Sequence, residues 1–278
     1  MTVSQDHDVL RHHALSVQIE VERHRATIVL DDPERHNTVP FPARRVLRQL
    51  FEEFGEDERI RVVVLRGAGE RAFSAGGNIA QFLENTPETL SELAWNVGAP
   101  ERCPKPVIAE LKGFAFGVGL EFALACDFRV AGESTLLALP EIKLGMIPGS
   151  GGSQRVARIA GLGRAKDMVM RGRRIPAQEA LAWGLLTTVV PDSELRRSVD
   201  ELSDEMCALP PLALQTAKRV LGAAYEAPLH AAIGLEGEAY GRLRSTPDFI
   251  EGVHAFAEKR PPRFPSLAGD GEVVRHKR

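Results

Sequence analysis

A chain of 278 residues, 44% hydrophobic and 26% charged, has the apolar content to bury a sizeable core, which excludes a disordered polymer. Its formal net charge of −3 gives no basic excess, so neither nucleic acid nor a membrane is an expected partner and a small molecule is the default ligand. Cys103, Cys126 and Cys207 are too widely spaced for a disulfide framework or a metal knuckle. With no leader-like start and no apolar run of about 18 residues, the expected location is the cytoplasm.

Residues 1–13 read as a flexible N-terminus. From Leu15, LSVQIEVE alternates apolar and polar side chains, and the chain resumes after RHR as ATIVLDD, the pattern of a β-hairpin. DDPERHNTVPFP follows as a loop, and ARRVLRQLFEEF sets Val46, Leu47, Leu50, Phe51 and Phe54 at helical spacing. RVVVLRGAG (61–69) has the continuous apolar run of a strand buried on both faces. Strand, glycine corner and helix then recur through KPVIAELKG, GLEFALACD and FRVAG, which predicts an α/β class with partly parallel sheets.

Beyond about residue 190 the strand signals stop. Leu195, Val199, Leu202 and Met206 share a helical stripe, and LALQTAKRVLGAA resumes a helix after Pro210 and Pro211. A helix from Pro228 carries Leu229, Ile233, Tyr240 and Leu243, and Thr246 with Pro247 supplies the N-cap and first-turn proline of the last one. The expected division is a core over 14–205, a helical region over 206–262 and a poorly ordered tail over 263–278.

Two glycine-rich corners carry the chemical signal. Gly117 and Gly119 precede GLEFALACD in the manner of a dinucleotide fold, but Phe122 stands where that fingerprint demands a small residue. A second corner, FSAGGNIAQF (73–82), has the same form, and two such corners can present two backbone N–H groups as an oxyanion hole. Glu121, in the first turn of the following helix, would reach whatever the corner binds, with burial raising its pKa. Glu141, after Pro140 in LLALPEIKLGMIPGSGGSQR, is a second acid among apolar neighbours, and two partly buried acids beside oxyanion donors suit proton transfer next to a carbonyl.

Taken together, PERHN (33–37), AFSAGGNIAQF (72–82), KPVIAELKGFAFGVGLEFALACDFRVA (105–131), ALPEIKLGMIPGSGGSQRVARIAG (138–161), the stretch from Ala165 to Leu186 and EGVHAFAEKRPPRF (251–264) resemble the crotonase superfamily, specifically its enoyl-CoA hydratases. The resemblance implies a spiral of β-β-α units with a helical C-terminal trimerisation region, hence a homotrimer or homohexamer. It implies an acyl-CoA thioester substrate, with no metal and no separate cofactor. Gly77 and Val118 match the family's oxyanion amides, Glu121 its base and Glu141 its proton donor. Arg35, Ala75, Gly76, Gly77, Asn78, Ile79, Gly149, Phe256 and Lys259 fall at coenzyme A positions. Asn78 replaces the usual aspartate, and Val118 stands where glycine is frequent.

The activity so implied is reversible hydration of a 2-trans-enoyl-CoA to a 3-hydroxyacyl-CoA. The alternative is another crotonase-type reaction: double-bond isomerisation, thioester or ring hydrolysis, or hydration of a cyclic or aromatic acyl-CoA. An idle RNA-binding crotonase lacks the expected lysine-rich helix here. The segment from Leu83 to Arg102 is expected to line the acyl-tail pocket, RGRRIP (171–176) reads as a solvated loop, and His12, His13, His24, His230 and His254 read as surface residues.

Overall fold

Period-two patterning builds the sheet edge, and continuous apolar runs build its centre. The computed structural model describes residues 15–20, 23–84 and 92–270. Strands are β1 (Leu15–Glu20), β2 (Arg25–Leu30), β3 (Val62–Gly67), β4 (Ala72–Ser74), β5 (Val107–Leu111), β6 (Phe114–Phe116), β7 (Phe128–Gly132), β8 (Leu136–Ala138), β9 (Ile175–Pro176) and β10 (Thr188–Val190). Helices are α1 (Phe41–Glu56), α2 (Leu93–Val97), α3 (Ala99–Arg102), α4 (Val118–Ala125), α5 (Gly152–Ala160), α6 (Leu162–Arg171), α7 (Ala177–Ala182), α8 (Leu195–Cys207), α9 (Pro211–Gly222), α10 (Leu229–Leu243) and α11 (Pro247–Ala257).

One sheet runs in the order β1-β2-β3-β5-β7-β10, antiparallel in the β1–β2 hairpin and parallel elsewhere. Val62, Val63, Val64 and Leu65 of β3 are wholly buried, as the apolar run requires. The smaller sheet, β4-β6-β8-β9, is parallel until β9 turns back on β8. Helix α1 buries Leu47, Leu50, Phe51 and Phe54, while all eight residues of α4 are buried, so that Glu121 has no solvent-facing side on which to lie. The expected α/β architecture is therefore present, with the glycine corners at the ends of β4 and β6.

The structure departs from the sequence reading at several points. Arg171 ends α6, Ile175–Pro176 is strand β9, and Arg173 pairs with Asp167 and Glu179, so RGRRIP is not a solvated loop. The β3 strand ends at Gly67, and FSAGGNIAQF opens 3-10 turns over Ile79–Glu84 rather than an α-helix. The flexible N-terminus, with His12 and His13, lies outside the described residues, as do 271–278 of the tail. Pro265–Asp270, by contrast, forms 3-10 turns tied by the Ser266 N–H to Asp248.

The chain divides into two compact units, the first ending at Ser203 and the second beginning at Asp204. In the second, Thr246 caps α11 by accepting from the Phe249 N–H, as its sequence predicts. A cavity of about 440 Å³ there is lined in part by Tyr240, Leu243, Phe249, Val253, Phe256 and Phe264. Leu229, Ile233 and Tyr240 of α10 are 72%, 54% and 60% exposed. Among the described residues no helix is long and apolar enough to cross a membrane.

Asn37 knits the first unit at the mouth of the smaller sheet. It adopts φ +55°, its Oδ1 accepts from the Asp32 N–H, and its Nδ2 donates to the Ala68 and Ala72 carbonyls at 2.8 Å each. Asn37→Ala strands those carbonyls and places a Cβ residue without a local partner at positive φ, so it should lower stability by about 3 kcal/mol in urea unfolding. A loss under about 1 kcal/mol would show that water replaces the amide.

Candidate active site

Because β4 and β6 are neighbouring parallel strands, the corners after them fall side by side. Gly76 has φ +104° and Gly117 φ +53°, a region that a side chain opposes. A Cβ on Gly76 would lie 3.1 Å from the Phe116 carbonyl oxygen and 3.7 Å from the Gly117 α-carbon, so the two turns touch. The next amides, Gly77 and Val118, donate to no acceptor among the described residues, and Val118 opens α4, where N–H groups have no intrahelical partner. Val118 is itself buried. The two corners predicted separately thus leave two unclaimed donors in one place.

Glu121, one turn into α4, is 2% exposed. Its Oε1 accepts from the Ser150 and Gly152 N–H groups at 2.8 and 2.9 Å, at the N-terminus of α5, while Oε2 accepts from no described residue. A Cβ on Gly152 would stand 2.8 Å from Glu121 Cγ, so the glycine supplies both an amide and the room beside it. GSGG ahead of a helix is the signal from which this anion seat could have been read.

Glu141 starts a 3-10 turn after Pro140 and lies beside the corner, its Oε1 3.2 Å from where a Gly117 Cβ would be. Its Oε2 is buried without a hydrogen-bond partner. Burial pushes its pKa up to about 7, with the Glu121 charge adding to the rise and a bond to its own backbone opposing it. The two carboxyls are seated differently: Glu121 has two N–H donors, and the Glu141 Oε2 has none. The charge of Glu121 thus reaches Glu141, so the two carboxyls are electrostatic neighbours.

Arg44 was missed. It sits in the first turn of α1, is 2% exposed, and carries its Nη2 2.8 Å from the position of a Gly77 Cβ. Burial pulls it down to about 10, still cationic at neutral pH, and Glu121 acts in the opposite sense. The signal was available: Arg44 falls three residues before Leu47, on the face that α1 buries.

Of the residues expected at coenzyme A, Ala75, Gly76, Gly77, Asn78 and Ile79 line one turn, and the Ala75 N–H donates to the His36 carbonyl beside exposed Arg35. Asn78 has no side-chain hydrogen bond among the described residues. Gly149 is exposed in the Pro148–Gly151 turn. Phe256 and Lys259 belong to the second unit, where Phe256 is 86% exposed. His230 and His254 are exposed, His24 is half-buried with its Nδ1 at the Arg59 carbonyl, and no described group of three His, Cys, Asp or Glu residues could hold a metal.

A family model for enoyl-CoA hydratase/isomerase matches residues 21–266. The carnitinyl-CoA dehydratase of Salmonella typhi is 38% identical over 84% of this chain and 92% of its own length. The short-chain-enoyl-CoA hydratase of Clostridium acetobutylicum is 34% identical over 88% and 95%. The crystal structure of an enoyl-CoA hydratase from Bacillus anthracis superposes with a TM-score of 0.85 at 36% identity, over 91% of this chain and all of that one. The glycine corners, the paired acids and these likenesses lead to one conclusion: the chain has the crotonase fold and belongs to the enoyl-CoA hydratase/isomerase family.

Proposed function

We propose that the protein hydrates a 2-trans-enoyl-CoA reversibly to the 3-hydroxyacyl-CoA. The thioester oxygen accepts from the Gly77 and Val118 amides, which draw electron density from the double bond and stabilise the enolate-like charge. A water between the acids gives a proton to the free Oε2 of Glu121 and its oxygen to the β-carbon, and protonated Glu141 delivers a proton to the α-carbon. The observation that carries this reading is the pairing of unlike acids: one carboxylate seated on two amides, the other raised to about 7 with an orphaned oxygen. Arg35, Ala75, Gly76, Asn78, Ile79 and Gly149 hold the coenzyme A part in this proposal, which needs no further cofactor. Loss of the ultraviolet absorbance of crotonyl-CoA on mixing tests the reaction, and unchanged absorbance across a panel of conjugated enoyl thioesters refutes it.

A second copy of the chain is the proposed partner, in a trimer or pair of trimers, because Leu229, Ile233 and Tyr240 leave an apolar stripe on α10 uncovered. A sedimentation mass of one chain at micromolar concentration would contradict this assembly.

Glu141→Gln cannot donate the α-proton and should lower kcat by about 10²–10⁴ while leaving coenzyme A affinity within about twofold. Retained turnover would mean that the proton comes from elsewhere.

Because the donor must be protonated, kcat/KM for hydration should fall as pH rises above about 7. The folded-state pKa of Glu141 lies above its ordinary 4.5, so ionisation opposes folding increasingly from about pH 4.5 to about pH 7. Glu141→Gln removes that penalty, and its Tm relative to the parent should be higher at pH 8 than at pH 4. A pH-independent difference in calorimetry would count against the raised carboxyl.

A further inference from the structure

The guanidinium of Arg44 is the least satisfied charge at the site. Nε donates to the Val39 carbonyl at 3.3 Å, and neither Nη1 nor Nη2 bonds to a described residue. Its face lies on the Phe41 ring, 4.4 Å from the centroid, and Phe82 meets Phe41 edge-on at 5.3 Å. Stacking of this kind holds a guanidinium in position by its face and leaves the N–H fork at its edge unspent. The opposing charge acting on it is that of Glu121, which spends its Oε1 on two backbone amides.

Such an arrangement is costly. A buried cation with one backbone hydrogen bond and no ion-pair partner loses its hydration for little return, and in the first turn of α1 it also stands at the positive end of a 16-residue helix with no acidic residue in that turn. Leucine or methionine would fill the same space on this buried face at no electrostatic cost. The fork borders Gly77, whose amide is one of the two unclaimed donors, so a thioester gripped there would extend its acyl part past Arg44.

We propose that Arg44 receives a carboxylate carried by the acyl group, so that the substrate is the coenzyme A thioester of a dicarboxylic acid rather than a plain fatty acyl thioester. The inference rests on the acyl-CoA reading above. A carboxylate matches the free N–H fork in a bidentate pair, and Asn78, beside Gly77, brings no negative charge to oppose it.

Saturated thioesters test binding apart from turnover. Glutaryl-CoA and adipoyl-CoA should bind the full-length protein about tenfold or more tightly than pentanoyl-CoA and hexanoyl-CoA by calorimetric titration. Arg44→Met should abolish that preference, and Arg44→Lys should keep part of it. Equal affinities of the charged and neutral thioesters in the parent protein overturn the proposal even if the variants fail to fold. A preference that survives intact in Arg44→Met overturns it too. Selective binding with no hydration of any enoyl thioester sinks only the hydratase reading, and hydration of crotonyl-CoA without selective binding sinks only this one.

Discussion

The contact between two glycine turns is the constraint on which the site depends. Parallel pairing of β4 with β6 ends both strands at one level, and the absence of side chains at Gly76 and Gly117 lets the turns close to within van der Waals distance. Had either position carried a Cβ, the Phe116 carbonyl or the Glu141 carboxyl would have to move. The free amides, the start of α4 and the approach of Glu141 all follow from that closeness.

Around this contact, three ionisable groups with little solvent meet different fates. Glu121 is compensated by backbone dipoles at the head of α5, Glu141 is left to burial and takes up a proton near neutrality, and Arg44 stays charged while stacked on an aromatic ring. In a low-dielectric setting such differences matter, because two carboxyls of the same chemistry meet unlike surroundings in the two seats. The charge of Glu121 acts on both of its neighbours, raising Glu141 and opposing the depression of Arg44, so the three behave as one electrostatic unit.

Much of this was legible in the residues. The hairpin, the buried run of β3 and the α4 helix were carried by periodicity, and the glycine corners by the rarity of backbone that must approach a ligand closely. Glu121 and Glu141 stood out as acids among apolar neighbours, and the family likeness extended that reading along the chain. What escaped depended on tertiary neighbours. Spacing cannot say that Ser150 and Gly152, about thirty residues on, turn their amides to Glu121 Oε1, nor that burial raises Glu141. Arg44 was passed over because a charged residue on a helix is ordinarily solvated, and for α10 periodicity identifies an apolar face without saying what covers it.

Gly152 lends both a hydrogen and a hollow to the same carboxylate. Those two services cannot be separated by substitution, since any side chain there keeps the amide but occupies the space that lets the acid reach it. The least reactive residue at the site thereby dictates where the Glu121 carboxylate stands, and tolerance of change at position 152 is coupled to position 121 by geometry alone.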